Sequence, residues 1–149
     1  MSTKMLDTFR KPQIAIAESD HARLTRLAET LSRRSPDLAD QLYAELVRAD
    51  VFAEDDATRR TVRMGSTLEY TTDTGDTRVV TLVFPGEEDI SAGKISVLTP
   101  IGIALIGLSV GDKIAWRTLG GRTHQLTVKR LHGREDGPAE MLVAESAGS

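Results

Sequence analysis

The spacing of apolar residues changes once along this chain, and that change limits the folds open to it. Between His21 and Ala49, leucines and alanines recur three and four residues apart, which predicts amphipathic helices. Beyond a polar segment at residues 54–60, the apolar residues of Thr61–Thr72 and Arg78–Phe84 alternate instead, which predicts strands. The chain therefore combines a helical part with a sheet part, an α+β arrangement.

The helical part divides at Ser35-Pro36-Asp37, because proline interrupts one helix and suits the first turn of the next. Ser19 and Asp20 offer N-cap oxygens, so we expect the first helix to run over His21–Arg34. Matching apolar stripes and a short connector are typical of an antiparallel hairpin. At about 1.5 Å of rise per residue, each arm is only roughly 20 Å long.

The sheet part contains one short apolar helix between its strands. Thr99 can cap this helix, Pro100 can begin it, and it should run over Ile101–Ile106 and end at Gly107. The other predicted strands are Lys94–Leu98, Lys113–Thr118 and Thr123–Leu131. We expect two domains: a tail with a hairpin at 1–53 and a sheet domain at 60–145.

Composition excludes several classes of function. The net charge of -3 argues against affinity gained by neutralising nucleic-acid phosphates, so we expect no sequence-specific nucleic-acid binding. The absence of cysteine excludes disulfides, thiolate metal sites and cysteine nucleophiles. No apolar run approaches the 18 or so residues that span a membrane, and Met1–Arg10 lacks a signal-peptide core. We therefore expect a soluble, cytoplasmic monomer.

No pattern of catalytic or metal-binding residues stands out. His21, His124 and His132 lack the spacing of a zinc site. The segment Gly102–Ser109 resembles a phosphate-binding loop, but Leu108 occupies the position of its essential lysine. We therefore expect no cofactor, no metal and no enzymatic activity.

Asp37 and Asp40 lie three residues apart at the start of the second helix, on one face at the predicted hairpin tip. Acidic residues favour a helix N-terminus because of the helix dipole, which accounts for both. Alternatively, paired carboxylates at a protruding tip could hold a divalent metal. Two carboxylates are few ligands for Mg²⁺, so the first interpretation is favoured.

The segment Ile95–Asp112 resembles the most characteristic stretch of the C-terminal domain of Gre transcript-cleavage factors. The matching positions are Ser96, Pro100, Gly102, Ala104, Leu105, Gly107, Gly111 and Asp112. Gre factors usually carry arginine and lysine where this chain has Ile103 and Leu108. These departures, the short arms and the pattern Pro12-x-Ile14-x-Ile16 resemble the Rnk branch, called regulators of nucleoside diphosphate kinase.

The resemblance implies a short coiled-coil hairpin followed by an FKBP-like antiparallel β domain that grips the rim helices at the secondary channel of RNA polymerase. The residues carried over as partner-binding are Ser96, Leu98, Thr99, Pro100, Ile101 and Gly102. Gre factors use acidic tip residues to retain a catalytic Mg²⁺, and Asp37 and Asp40 lie at an equivalent tip. Because the arms are short, we expect competition with Gre factors without stimulation of transcript cleavage.

Two other functions stay open. An FKBP-like domain suggests a peptidyl-prolyl isomerase, although only Trp116, Tyr70 and Phe84 could line its aromatic pocket. The Rnk resemblance also allows an adaptor that binds another protein, such as nucleoside diphosphate kinase.

Overall fold

The computed structural model describes residues 11–56, 59–117 and 120–134. Residues 1–10, which belong to the predicted N-terminal tail, and residues 135–149 lie outside the described residues, and so does the predicted end of one strand at Thr118. The sheet domain predicted for 60–145 is described only as far as residue 134.

The N-terminal part is a helical hairpin closed at its base by two short strands. Strand β1 (Ala15–Ala17) leads into helix α1 (Glu18–Leu31), and helix α2 (Pro36–Arg48) leads into strand β2 (Asp50–Phe52). The two helices pack against each other, and β1 pairs with β2 in parallel. The hairpin predicted from the apolar stripes is confirmed.

The start of the first helix differs from the prediction. Helix α1 begins at Glu18 rather than His21, and its N-cap residue is Ala17, whose side chain makes no capping hydrogen bond. Asp20 is fully buried, and its carboxylate accepts the backbone N–H of Met64 at 3.0 Å. The predicted N-cap role of Asp20 was wrong because its carboxylate instead accepts a hydrogen bond from Met64, which is distant in the sequence.

A five-stranded sheet follows. Its strands are β3 (Ser66–Thr72), β4 (Thr77–Val83), β5 (Lys94–Ser96), β6 (Lys113–Arg117) and β7 (Thr123–Arg134). They lie in the order β5-β4-β3-β7-β6, and neighbouring strands are antiparallel, except that β4 and β5 are parallel. The sheet matches the expected α+β class.

Several strand boundaries differ from the prediction. Strand β4 covers Thr77–Val83 rather than Arg78–Phe84. Strand β5 ends at Ser96 rather than Leu98, because the N–H of Leu98 donates to Ser96 Oγ instead of extending the pairing with β4.

Strand β3 starts at Ser66 rather than Thr61, because residues 63–66 form a turn in which Ser66 N–H donates to Arg63 C=O at 3.0 Å. Strand β7 continues to Arg134 rather than ending at Leu131, because Arg134 still pairs with Ser66. Turn chemistry and strand pairing therefore override the alternating pattern at both ends.

Helix α3 (Pro100–Leu105) lies against β6 and has the predicted start. Thr99 is its N-cap, and Thr99 Oγ1 accepts the N–H of Gly102 at 3.0 Å. Just beyond the helix, Gly107 adopts a φ of +83°, and a Cβ there would lie 2.9 Å from Ile14 Cβ. Glycine is therefore required where β1 crosses the end of α3.

The hairpin and the sheet share one hydrophobic core. Leu24 and Leu42 of the hairpin belong to the same buried cluster as Leu68, Leu82 and Leu105 of the sheet part. Ala15 N–H also donates to Gly107 C=O at 3.1 Å. This shared core fixes where the hairpin lies relative to α3, while the division into domains at 1–53 and 60–145 stays a prediction.

Candidate docking site

The segment Ser96–Gly102, called here the docking loop, is held in one shape by its own hydrogen bonds. Ser96 Oγ accepts the N–H of Leu98 at 3.0 Å, and Thr99 Oγ1–H donates to Ser96 C=O at 2.9 Å. Thr99 Oγ1 in turn accepts from Gly102. These three hydrogen bonds link Ser96, Leu98, Thr99 and Gly102, and they therefore stabilise one shape of the loop backbone.

The six predicted partner-binding residues fall into two groups. Ser96 and Gly102 are buried, whereas the other four, Leu98, Thr99, Pro100 and Ile101, are half-buried. A Cβ on Gly102 would lie 2.4 Å from Ser96 C=O, so glycine allows α3 to approach β5. Ser96 and Gly102 therefore shape the loop, and the other four offer accessible surface.

Two grooves flank the docking loop. The first, called the sheet-edge groove, has a volume of about 670 Å³ and reaches Ile101. The second, called the hairpin groove, has a volume of about 510 Å³ and reaches Pro100. The hairpin groove is lined by Lys11, Asp40, Gln41, Ala44, Glu45, Pro100, Ile103, Ala104, Ile114, Ala115 and Trp116.

The hairpin groove brings together residues that the sequence suggested for separate roles. Asp40, expected at a free tip, lines this groove with Pro100 of the docking loop. Asp37 is exposed and lines neither groove. The contributions of Ile114 and Trp116 were missed because residues of β6 and α2 line one groove only in the folded chain, and no local sequence pattern indicates this.

The residues weighed as possible metal ligands do not come together in the part of the chain that the structure describes. Among the described residues, no group of three or more histidine or acidic side chains could hold a metal ion. His21 Nε2 lies 3.0 Å from the carbonyl oxygen of Leu46. The His124 ring packs on Trp116, with ring centroids 5.4 Å apart. The positions of these two histidines are explained by local packing and hydrogen bonding.

The three aromatic residues considered for a proline pocket lie apart. Tyr70 lines the sheet-edge groove, and Trp116 lines the hairpin groove. Phe84 lies under the Arg23 guanidinium, whose Cζ is 4.7 Å from the ring centroid. Because these rings face different surroundings, they do not form a shared aromatic pocket.

A buried polar network ties the hairpin to the sheet. Besides the bond from Met64, Asp20 Oδ1 accepts from Arg23 Nη2 at 3.0 Å. Arg63 Nε lies 3.6 Å from Asp20 Oδ2, too far for a hydrogen bond, so this attraction is electrostatic. Asp20 therefore joins α1 to the segment that enters β3.

Glu54 extends this network at the surface. Its carboxylate accepts the backbone N–H of Ser19 at 3.2 Å and pairs with Arg63. Hydrogen bonding by the Ser19 side chain, with further contributions from Arg63 and the Ser19 N–H, lowers the pKa of Glu54 from 4.5 to about 2. The start of α1, the segment after β2 and the entry to β3 are thus held together.

None of the helices in the part of the chain that the structure describes is both long and apolar enough to cross a membrane.

Comparison with known families identifies both parts of the chain. Residues 57–132 match the model of the transcription elongation factor GreA/GreB C-terminal domain, and residues 12–51 match the Rnk N-terminus. The chain therefore belongs to the GreA/GreB family of transcription elongation factors, within the branch that carries the Rnk N-terminus.

Individual relatives agree with this assignment. The chain is 34% identical over 134 residues to the regulator of nucleoside diphosphate kinase of Escherichia coli K12, covering 89% of this chain and 98% of that protein. It is also 34% identical over 138 residues to GreA of Rhodospirillum rubrum, covering 86% and 88% of the two chains. The solved structure of a GreA/GreB elongation factor from Nitrosomonas europaea is similar, with 37% identity, a TM-score of 0.64 and coverage of 80% and 98%.

Proposed function

We propose that this protein is a transcription regulator that binds RNA polymerase through its docking loop. The observation that carries the proposal is the half-buried surface of Leu98, Pro100 and Ile101, held in a fixed loop of a GreA/GreB C-terminal domain. Apolar side chains presented by a rigid loop suit a helical partner, because little conformational entropy is lost on binding. The proposed partner is the pair of rim helices at the polymerase secondary channel.

The division within the loop gives each residue a role in this proposal. Leu98, Pro100 and Ile101 contact the partner. Thr99 caps the N-terminus of α3, where Pro100 is the first residue. Ser96 and Gly102 act through the shape of the loop. Substitutions in the two groups should therefore differ: those in the first weaken binding, and those in the second also destabilise the fold.

The length of the hairpin argues against stimulated transcript cleavage. Helices α1 and α2 have 14 and 13 residues. At about 1.5 Å of rise per residue, neither arm exceeds roughly 21 Å. We propose that the chain occupies the Gre docking site without carrying a metal-binding tip into the polymerase active site, so that it competes with Gre factors.

Capture of purified RNA polymerase by the immobilised chain tests this function, with a Gre factor as competitor. We expect binding at micromolar concentration or below, and displacement by the competitor. The double substitution Pro100→Ala with Ile101→Asp should weaken capture, because it removes apolar surface and places a charge in the interface. Val110→Asp is the matched control, because Val110 is 54% exposed and lines neither groove.

Two results would contradict the proposal. One is the absence of capture at micromolar concentration. The other is equal capture of polymerase by the double variant and the wild type. Capture of nucleoside diphosphate kinase instead of polymerase would favour the adaptor function that the name of the Escherichia coli relative suggests.

A further inference from the structure

The hairpin groove places the carboxylate of Asp40 beside the docking loop. Asp40 is exposed on its rim, and within the described residues it makes no hydrogen bond or ion pair. Glu45, the other acid in the groove, is buried and pairs with Lys11 and Arg48 at 2.6 and 2.8 Å. Of the two acids in this groove, Asp40 is therefore the one without a basic partner among the described residues.

Apart from Lys11, Gln41 and the two acids, the groove is lined by apolar residues, several of them small. Ile103 and Ile114 are buried in its lining, to which Ala44 of α2 and Ala115 of β6 also belong. The half-buried Trp116 adds an aromatic face. Small side chains let a partner backbone approach closely, and a tryptophan in a groove is a frequent source of binding energy.

The groove is continuous with the docking loop, because Pro100 belongs to both. A partner helix seated on the loop therefore lies at the edge of the groove. Asp40 would attract a basic side chain on that helix, and the apolar lining would receive its apolar face. Residues of both α2 and β6 line the groove, so both the hairpin and the sheet would contact one partner.

We infer that the hairpin groove receives the flank of the docked polymerase helix, with an apolar face against Ile103 and Trp116 and a lysine or arginine paired with Asp40. This inference rests on the proposed function and deepens it. It gives the hairpin a role in docking, and it assigns Asp40 to partner recognition rather than to a metal at the tip.

A single introduced thiol tests occupation of the groove, because the chain contains no cysteine. Ala44→Cys places the thiol in the groove, and Ala22→Cys places a matched control on the exposed face of α1. Alkylation by iodoacetamide is followed by mass spectrometry of the full-length chain, alone and with saturating polymerase. We expect polymerase to slow alkylation of Ala44→Cys by at least about tenfold and to leave Ala22→Cys unchanged.

Charge reversal tests the role of Asp40. Asp40→Lys and Asp37→Lys change the net charge equally on the same helix, but only Asp40 lines the groove. We expect Asp40→Lys to weaken polymerase binding by at least about tenfold, and Asp37→Lys by less than about threefold. Equal effects would mean that long-range electrostatics acts rather than a specific pair, and would overturn the inference.

The remaining outcomes separate this inference from the proposed function. If polymerase binds but Ala44→Cys reacts as fast as before, the inference fails and the proposed function stands. If Ala44→Cys is protected from alkylation without polymerase, the groove already holds another part of this chain. If that protection grows with the concentration of the protein, the groove holds a second copy instead. Either result overturns the inference. If polymerase does not bind at all, both fail.

Discussion

Removing the buried charge of Asp20 should destabilise the whole molecule, because this carboxylate lies between the hairpin and the sheet. Asp20→Asn keeps an acceptor for the Met64 N–H but leaves Arg63, whose side chain is only 14% exposed, without its buried partner. Breaking a buried ion pair costs about 3–5 kcal/mol. The pair with Arg23 adds little, since Arg23 is 48% exposed.

Two features of this site determine how much stability each Asp20 variant should lose. Arg63 keeps its pair with Glu54, so we expect the lower end of the range, about 3 kcal/mol, for Asp20→Asn. Asp20→Ala also deprives the Met64 N–H of its acceptor, which should cost a further 1–3 kcal/mol or so. The alanine variant should therefore be clearly less stable than the asparagine variant.

Urea unfolding followed by the fluorescence of Trp116, the one tryptophan in the chain, measures these differences. Glu69→Gln is the control, because its ion pair with the largely exposed Arg130 is 3.9 Å long and should change stability by no more than about 0.5 kcal/mol. A loss below about 1 kcal/mol for Asp20→Asn would refute the argument that this charge ties the two parts together.

Three further predictions follow from the packing and charges. Gly107→Ala places a Cβ 2.9 Å from Ile14 Cβ at a φ of +83°, and it should lower the free energy of unfolding in urea by about 2–4 kcal/mol. Gly111→Ala has a similar φ of +95° but open space around the Cβ, so it should lower that free energy by only about 1 kcal/mol, and equal losses for the two variants would contradict the steric argument. Gly102→Ala should weaken both stability and polymerase capture, since its Cβ would meet Ser96 C=O at 2.4 Å; a normally stable variant would speak against the tight loop. The pKa of Glu54 is about 2, below its usual 4.5, so its ionised carboxylate stabilises the fold fully above pH 4.5 and loses this effect as the pH falls towards 2. Glu54→Gln should therefore flatten the acid side of a plot of stability against pH, and an unchanged plot would contradict this role of Glu54.

The sequence correctly predicted those helix starts and buried faces that depend on interactions between residues close together in the chain. Thr99 and Pro100 set the start of α3, and Pro36 sets the start of α2, because caps and proline act within one turn. The apolar stripes correctly predicted the buried faces, including Leu24 and Leu42. Each of these features depends on residues only a few positions apart.

Features that depend on distant partners could not be read from the sequence. Asp20 looks like a helix cap, yet it binds Met64, which lies 44 positions further along the chain. Asp40 looks like a tip residue, yet the short arms and the shared core bring it beside Pro100. In both cases tertiary packing decides which of several plausible roles a carboxylate takes.

The equilibrium dissociation constant of the full-length chain for purified RNA polymerase tests the central claim most directly, measured for the wild type and for Pro100→Ala with Ile101→Asp. We expect a wild-type value in the micromolar range or tighter, and a variant that folds normally but binds at least about tenfold more weakly. An unchanged constant in the variant, or no measurable binding of the wild type at micromolar concentration, would contradict it.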